Sequence, residues 1–261
     1  MKKGIFFLLI SLICIPFYHL VKASPEGIRL SAYSFKSSEV TLSDPILGEM
    51  ILLPETTFVE DEALTMIKNV QKIDRNILSL AANQNIQIKF FNGSLTDQNG
   101  LSSLKDKKPR GYSTSGPNWD QVPGMSSDRF VYVKVGHSEY GRGHSSVSLE
   151  LHEVAHAIDR YVFNYVRNDP SFLTIWKREA EKLFPDRDYF INFPEEYFAE
   201  SFAMYYYSRD SRLILKEKAP QTFLFIQSLE EQAAKQKNKS YVVLPNYSLV
   251  GSNGNVLEFI I

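Results

Sequence analysis

The chain has 261 residues, 44 % hydrophobic and 23 % charged, which suits a globular protein with a buried core and excludes a fibrous or disordered one. Its formal net charge is −1, from 29 basic and 30 acidic residues, so it lacks the basic footprint of a nucleic-acid binder. One cysteine, Cys14, excludes an internal disulfide framework.

The chain opens on a segment unlike the rest. Lys2 and Lys3 precede an apolar run from Gly4 to about Tyr18, and Val21-Lys22-Ala23 ends it on a small residue. This is the pattern of a secretory signal peptide over residues 1–23, cleaved after Ala23. An uncleaved anchor is the competing reading, but the run is short for a span of about 20 residues and Pro16 interrupts it. Cleavage removes Lys2, Lys3 and Lys22 and no acid, so the basic residues fall from 29 to 26 against 30 acids, a net charge of −4. It also removes Cys14. The expectation is a secreted protein without stable membrane association, held together by its core or by a metal.

Residues 24–45 are polar and mixed, and predict a flexible leader. Gly48–Pro54 predicts a strand stopped by its proline. From Glu60, the spacing of Ala63, Met66, Ile67, Val70 and Ile73 predicts a helix, and Asp74 is placed to cap a second one through Ile77, Leu78 and Ala81. Residues 86–91 alternate as a strand before an Asn92-Gly93 turn. Residues 92–128, rich in Gly, Ser, Pro, Asp and Asn, predict a long irregular stretch of the kind that binds or gates. Arg129–Gly136 predicts a strand, followed by a glycine-punctuated loop, free to move over a cleft, up to His144. Helices are then expected from about Ser146 to Val166, near Ser171–Phe184, over Pro194–Ser208 and around Pro220–Lys237. Asn253-Gly254 between apolar runs suggests a hairpin in a C-terminal extension over 236–261. The fold class is α+β: a small sheet with helices in the first half and a mainly helical second half, with one domain over 46–235.

The chemistry concentrates in Leu151–Asp159, which holds two of the five histidines. His152 and His156 are four apart, so a helix puts both on one face, and Glu153 stands beside the first. That is the His-Glu-x-x-His spacing of zinc proteases. Zinc acidifies a water molecule toward a pKa of about 7 and the glutamate can take its proton. The same residues also fit an amphipathic helix with hydrogen-bonded histidines, so a third ligand must be found. His137 and His144 are candidates, as are the carboxylates of Asn192–Phe202. There, Asn192 is placed to cap a helix with Glu195 in capping-box position, and Glu196 and Glu200 share a face. Acids in a first helical turn also suit the macrodipole without any catalytic role.

His152–Asp159, followed some forty residues later by Tyr189–Phe202, resembles the catalytic domain of anthrax lethal factor. It resembles still more the secreted Pro-Pro endopeptidases of Gram-positive bacteria. Arg110–Tyr112, Asn118–Gly124, Val133–Glu153 and Lys218–Gln227 add to the likeness, which spans roughly residues 46–230. It implies one Zn2+ per chain, held by His152, His156 and Glu196, with Glu153 as general base. It implies a catalytic role for Tyr189, seven residues before Glu196, as an oxyanion donor; from the residues alone, Tyr189 is one of fourteen tyrosines suited to packing. Glu200 is then placed to orient a ligand histidine, and Asp159 could do so too or pair with Arg160. Substrate contacts are expected from Arg110, Tyr112 and Glu195, although the family carries tryptophan where Tyr112 stands. The implied partner is a protein or peptide substrate, a proline-rich surface protein among them, whose stiff extended chain aromatic surfaces recognise well. Two other readings stay open: a lethal-factor-like toxin protease acting on a host protein, and a non-catalytic relative that only binds peptides.

Overall fold

The computed structural model describes residues 27–36, 44–110 and 115–242. Five short strands form one mixed sheet: β1 (Ile28–Arg29), β2 (Ile51–Leu53), β3 (Gln87–Phe91), β4 (Gly124–Ser127) and β5 (Phe130–Lys134). Their order is β1-β2-β3-β5-β4. β2, β3 and β5 run parallel, while β1 and β4 lie antiparallel on the two edges. Parallel strands are covered on their faces, and Ile51–Leu53 and Val131–Val133 are accordingly buried without alternation. The chain is α+β, with helices α1 (Pro45–Met50), α2 (Glu60–Gln71), α3 (Arg75–Asn83), α4 (Leu149–Ala157), α5 (Pro170–Leu183), α6 (Asp188–Asn192), α7 (Pro194–Tyr207), α8 (Arg209–Lys218) and α9 (Pro220–Val242). Among the described residues, no helix is long and apolar enough to cross a membrane.

Local chemistry explains several boundaries. Asp74 caps α3 through Asn76 N and Ile77 N, as its sequence position predicts. The strand expected over 48–54 begins only at Ile51, because Pro45 at the first helical position and Asp44, accepting from Ile46 N, start a helix that runs to Met50. The helix expected from Ser146 begins at Leu149. Ser146 Oγ accepts from Ser148 N and donates to Ser148 O, so local bonds hold this turn out of the helix. After Ala157 the helix widens into a π turn over Ile158–Val162.

The leader expected to be flexible is partly structured. Over residues 27–36, β1 pairs with β2 and Leu30 is buried, because the sheet edge offers the chain unpaired backbone groups. The stretch 92–128 is irregular up to β4, which its last residues form. Asn192 does not cap α7: it ends α6, and Phe193 takes the cap position with an extended backbone because Pro194 follows. Three helices, α1, α6 and α8, were not expected, and α9 continues to Val242, into the proposed extension. The signal peptide and the hairpin at 253–254 lie outside the described residues.

The core joins sheet and helices through α4. Leu149, Leu151, Val154, Ala155, Ala157 and Ile158 are all buried, because α4 packs on β4 and β5 on one side and on α7 on the other. α7 is buried over most of its length, from Glu195 to Tyr206. Two helices buried nearly all round thus cross inside the molecule, and each carries charged side chains to their meeting point.

Candidate active site

At that meeting point α4 supplies His152, Glu153 and His156, and α7 supplies Glu196 and Glu200. His152 Nε2 and His156 Nε2 lie 3.2 and 3.3 Å from the same Glu196 oxygen. The rings stand nearly perpendicular, with centroids 4.9 Å apart. One ligand atom from each of the three residues falls within 4.8 Å of the others, and all three side chains are buried. This is a two-histidine, one-carboxylate donor set, the kind that holds a catalytic zinc with one position left over.

The surrounding bonds fix the ligands. His152 Nδ1 lies 3.1 Å from Glu200 Oε2, which leaves Nε2 directed at the centre of the cluster. The other Glu200 oxygen accepts from Val147 N at 3.0 Å and so pins the segment that enters α4. His156 Nδ1 is buried without a hydrogen-bond partner. Burial works against charge on these groups, yet the two carboxylates win at His152 and raise its pKa to about 10. Conversely, burial would raise Glu196, but His156 and His152 hold it far below the usual carboxylate range. The cluster therefore demands positive charge, which protons or a metal ion can supply.

Glu153 is partly buried and lines the cleft beside the cluster. Burial pushes its pKa up, against the pull of His156 and His152, which suits a group that must accept a proton. Tyr189 comes from α6, held by the Trp176 Nε1 hydrogen bond to Phe190 O and by ring contacts to Phe190 and Phe193. Burial and then the Glu196 charge push its pKa well up, so the hydroxyl keeps its proton and can donate it in a hydrogen bond.

Arg110 and Glu195 form a second pair at the cleft. Arg110 Nη2 lies 2.6 Å from Glu195 Oε1 and 3.6 Å from Glu196 Oε1, and its guanidinium sits 4.2 Å from the Phe193 ring centroid. Tyr112 lies outside the described residues. The alternative ligands are occupied elsewhere: His144 bonds His137 O through Nε2 and Ser146 N through Nδ1, and His137 Nδ1 bonds Arg142 O. Asp159 pairs with neither a ligand nor Arg160. It is fully buried and binds Arg167 through its backbone N and its guanidinium, because the π turn and the left-handed Asn164 and Tyr165 bring residue 167 back over it.

The cleft above these groups encloses about 370 Å³. Its far wall is β4, the edge strand, with Trp119, Pro123 and Met125. Gly124 passes so close to α4 that a Cβ there would lie 2.7 Å from Leu149 Cδ1 and 3.1 Å from Glu153 Cγ. Reading the sequence did not single out Phe193 or Arg167, named Arg160 only as a surface partner for Asp159, and met Gly124 only as the end of the Asn118–Gly124 resemblance.

A family model described as anthrax toxin lethal factor, N- and C-terminal domain, matches residues 36–229, and the chain belongs to that family. More particularly, it is 38 % identical over 184 residues to a Pro-Pro endopeptidase of Paenibacillus alvei, covering 70 % of this chain and 84 % of the relative. It is 35 % identical over 222 residues to a Pro-Pro endopeptidase of Clostridioides difficile, covering 85 % and 96 %. The solved structure of the Paenibacillus alvei Pro-Pro endopeptidase superposes with a TM-score of 0.67, over 70 % of this chain and 99 % of that one. These relatives support a peptidase.

Proposed function

We propose that the chain is a secreted, zinc-dependent endopeptidase directed at Pro-Pro bonds. The observation that carries this is the convergence of His152, His156 and Glu196 in one buried cluster, with Glu153 and Tyr189 beside it. The three donors suit zinc in number and type, and the Glu200 bond to His152 Nδ1 fits an imidazole whose Nε2 serves an ion. When bound, zinc would supply a Lewis acid that polarises the peptide carbonyl and acidifies water. Glu153 takes the proton from the attacking water and returns it to the departing amine. Tyr189 donates to the oxygen that gains negative charge as the carbonyl is attacked. The peptide is held extended along β4, whose outer edge is unpaired within the sheet.

The names of the relatives support preference for a Pro-Pro bond. Arg110, stacked on Phe193 and paired with Glu195, is suited to shape the adjoining substrate pocket. The apolar leader with its Ala23 boundary supports export. A peptide library digested by the metal-loaded protein tests the reading. Cuts should fall between consecutive prolines; cuts indifferent to proline would remove the specificity, and no cuts at all would remove the activity. One zinc per chain by elemental analysis is the companion result.

A further inference from the structure

Beyond His156 the π turn of Ile158–Val162 swings Arg160 into the wall of the cleft. Its Nη1 donates to Ser126 O on β4 at 3.0 Å. The other cations of the cleft are balanced: Arg110 by Glu195, and Arg167 by Asp159. Arg160 has no carboxylate within ion-pair distance among the described residues. A guanidinium carries five N–H donors in a planar fork, and the bond to Ser126 O uses only one group of them. Beside it the Ser126 hydroxyl, on a residue 9 % exposed and also in the cleft wall, is buried with no hydrogen-bond partner. A buried hydroxyl without a partner is costly. Arg160 acts on the Glu153 carboxylate of the same wall only through space, without an ion pair, so its remaining donors stay available to a further anion.

We infer that Ser126 and Arg160 form a subsite of the substrate cleft that receives a carboxylate of the bound peptide. The fork of Arg160 matches a carboxylate in shape and charge, and the hydroxyl of Ser126 supplies an additional donor. The carboxylate comes from an acidic side chain near the scissile bond or from the end of a short peptide chain. The inference rests on the peptidase reading and adds a charge preference to it.

Kinetics on peptide sets separate the cases. In one set, each position around a Pro-Pro bond carries either Glu or Gln, with the C-terminus amidated. In the other, neutral peptides end in a free carboxylate at increasing distance from the bond. With the wild-type protein, kcat/KM at one position should favour Glu over Gln, or a free over an amidated end, by about tenfold, the size expected of a charge-assisted hydrogen bond. The first set alone responding assigns the side chain, the second alone the chain end. In Arg160→Gln that preference should fall to about one, Arg160→Lys should keep part of it, and Ser126→Ala should reduce it. No preference at any position in the wild type overturns the subsite, as does a Glu/Gln ratio unchanged in Arg160→Gln. An equal loss on acidic and neutral peptides also overturns it and leaves Arg160 as a brace for β4. Absence of all cleavage strikes the peptidase reading first and the subsite with it, while cleavage without charge preference strikes the subsite alone.

Discussion

Glu153, Tyr189 and Glu200 stand at different distances from the chemistry, and their substitutions should separate accordingly. Glu153→Gln keeps size and hydrogen bonding but cannot accept a proton. Activity should fall by about 10²- to 10⁴-fold, with the zinc content of the purified protein unchanged. Tyr189→Phe removes only the hydroxyl, so kcat should fall by about 10²- to 10³-fold with metal affinity retained. A fall in KM-controlled binding alone would refute its oxyanion role. Glu200→Ala acts through His152, whose Nδ1 loses its partner. Metal affinity should weaken by roughly 10- to 100-fold, measured by competition with a chelator, and added zinc should restore much of the activity. Equal zinc affinity in the variant and the wild type would leave Glu200 with only its bond to Val147.

At the scale of elements, two contacts fix the active-site helix and its support. β4 crosses α4 at Gly124, where a methyl group would press on Leu149 and Glu153. Gly124→Ala should therefore displace the general base or the strand and lower kcat/KM, while zinc content stays near one per chain. An undiminished rate would show that Leu149 yields freely. The start of α9 is held from outside itself. Buried Glu179 on α5 accepts from Gln221 N, Thr222 N and Thr222 Oγ1, and Thr222 Oγ1 also meets the Tyr197 hydroxyl of α7. Glu179→Ala strands these donors and should cost about 1–3 kcal/mol in chemical denaturation. The capping of α3 by Asp74 was legible in the sequence because it is local. The support of α9 by Glu179 was not, since its partners lie 42 and 43 positions away.

For the whole molecule, α4 and α7 meet face to face, and the cluster of His152, His156 and Glu196 that could hold a metal spans both. An ion bound there stabilises the folded chain, by about 4 kcal/mol when free metal is 1,000 times Kd. Chelation should lower the melting temperature and abolish cleavage together, and titrated zinc should restore both with an endpoint at one ion per chain. Restoration of stability without activity would separate the structural use of the ion from the catalytic one. The sequence alone determined the helical stripes, the α+β class and the shared face of His152 and His156, because a helix repeats every 3.6 residues whatever surrounds it. Resemblance chose Glu196 among several acids, but the residues themselves left His137, His144 and Glu200 open. Only the tertiary structure separated them, by burying Glu196 between both imidazoles and setting Glu200 behind one of them. It likewise gave Asp159 to Arg167 and left Arg160 to the cleft. Such pairings depend on which faces two buried helices and one edge strand turn toward each other, a result of packing the whole core that no local spacing encodes.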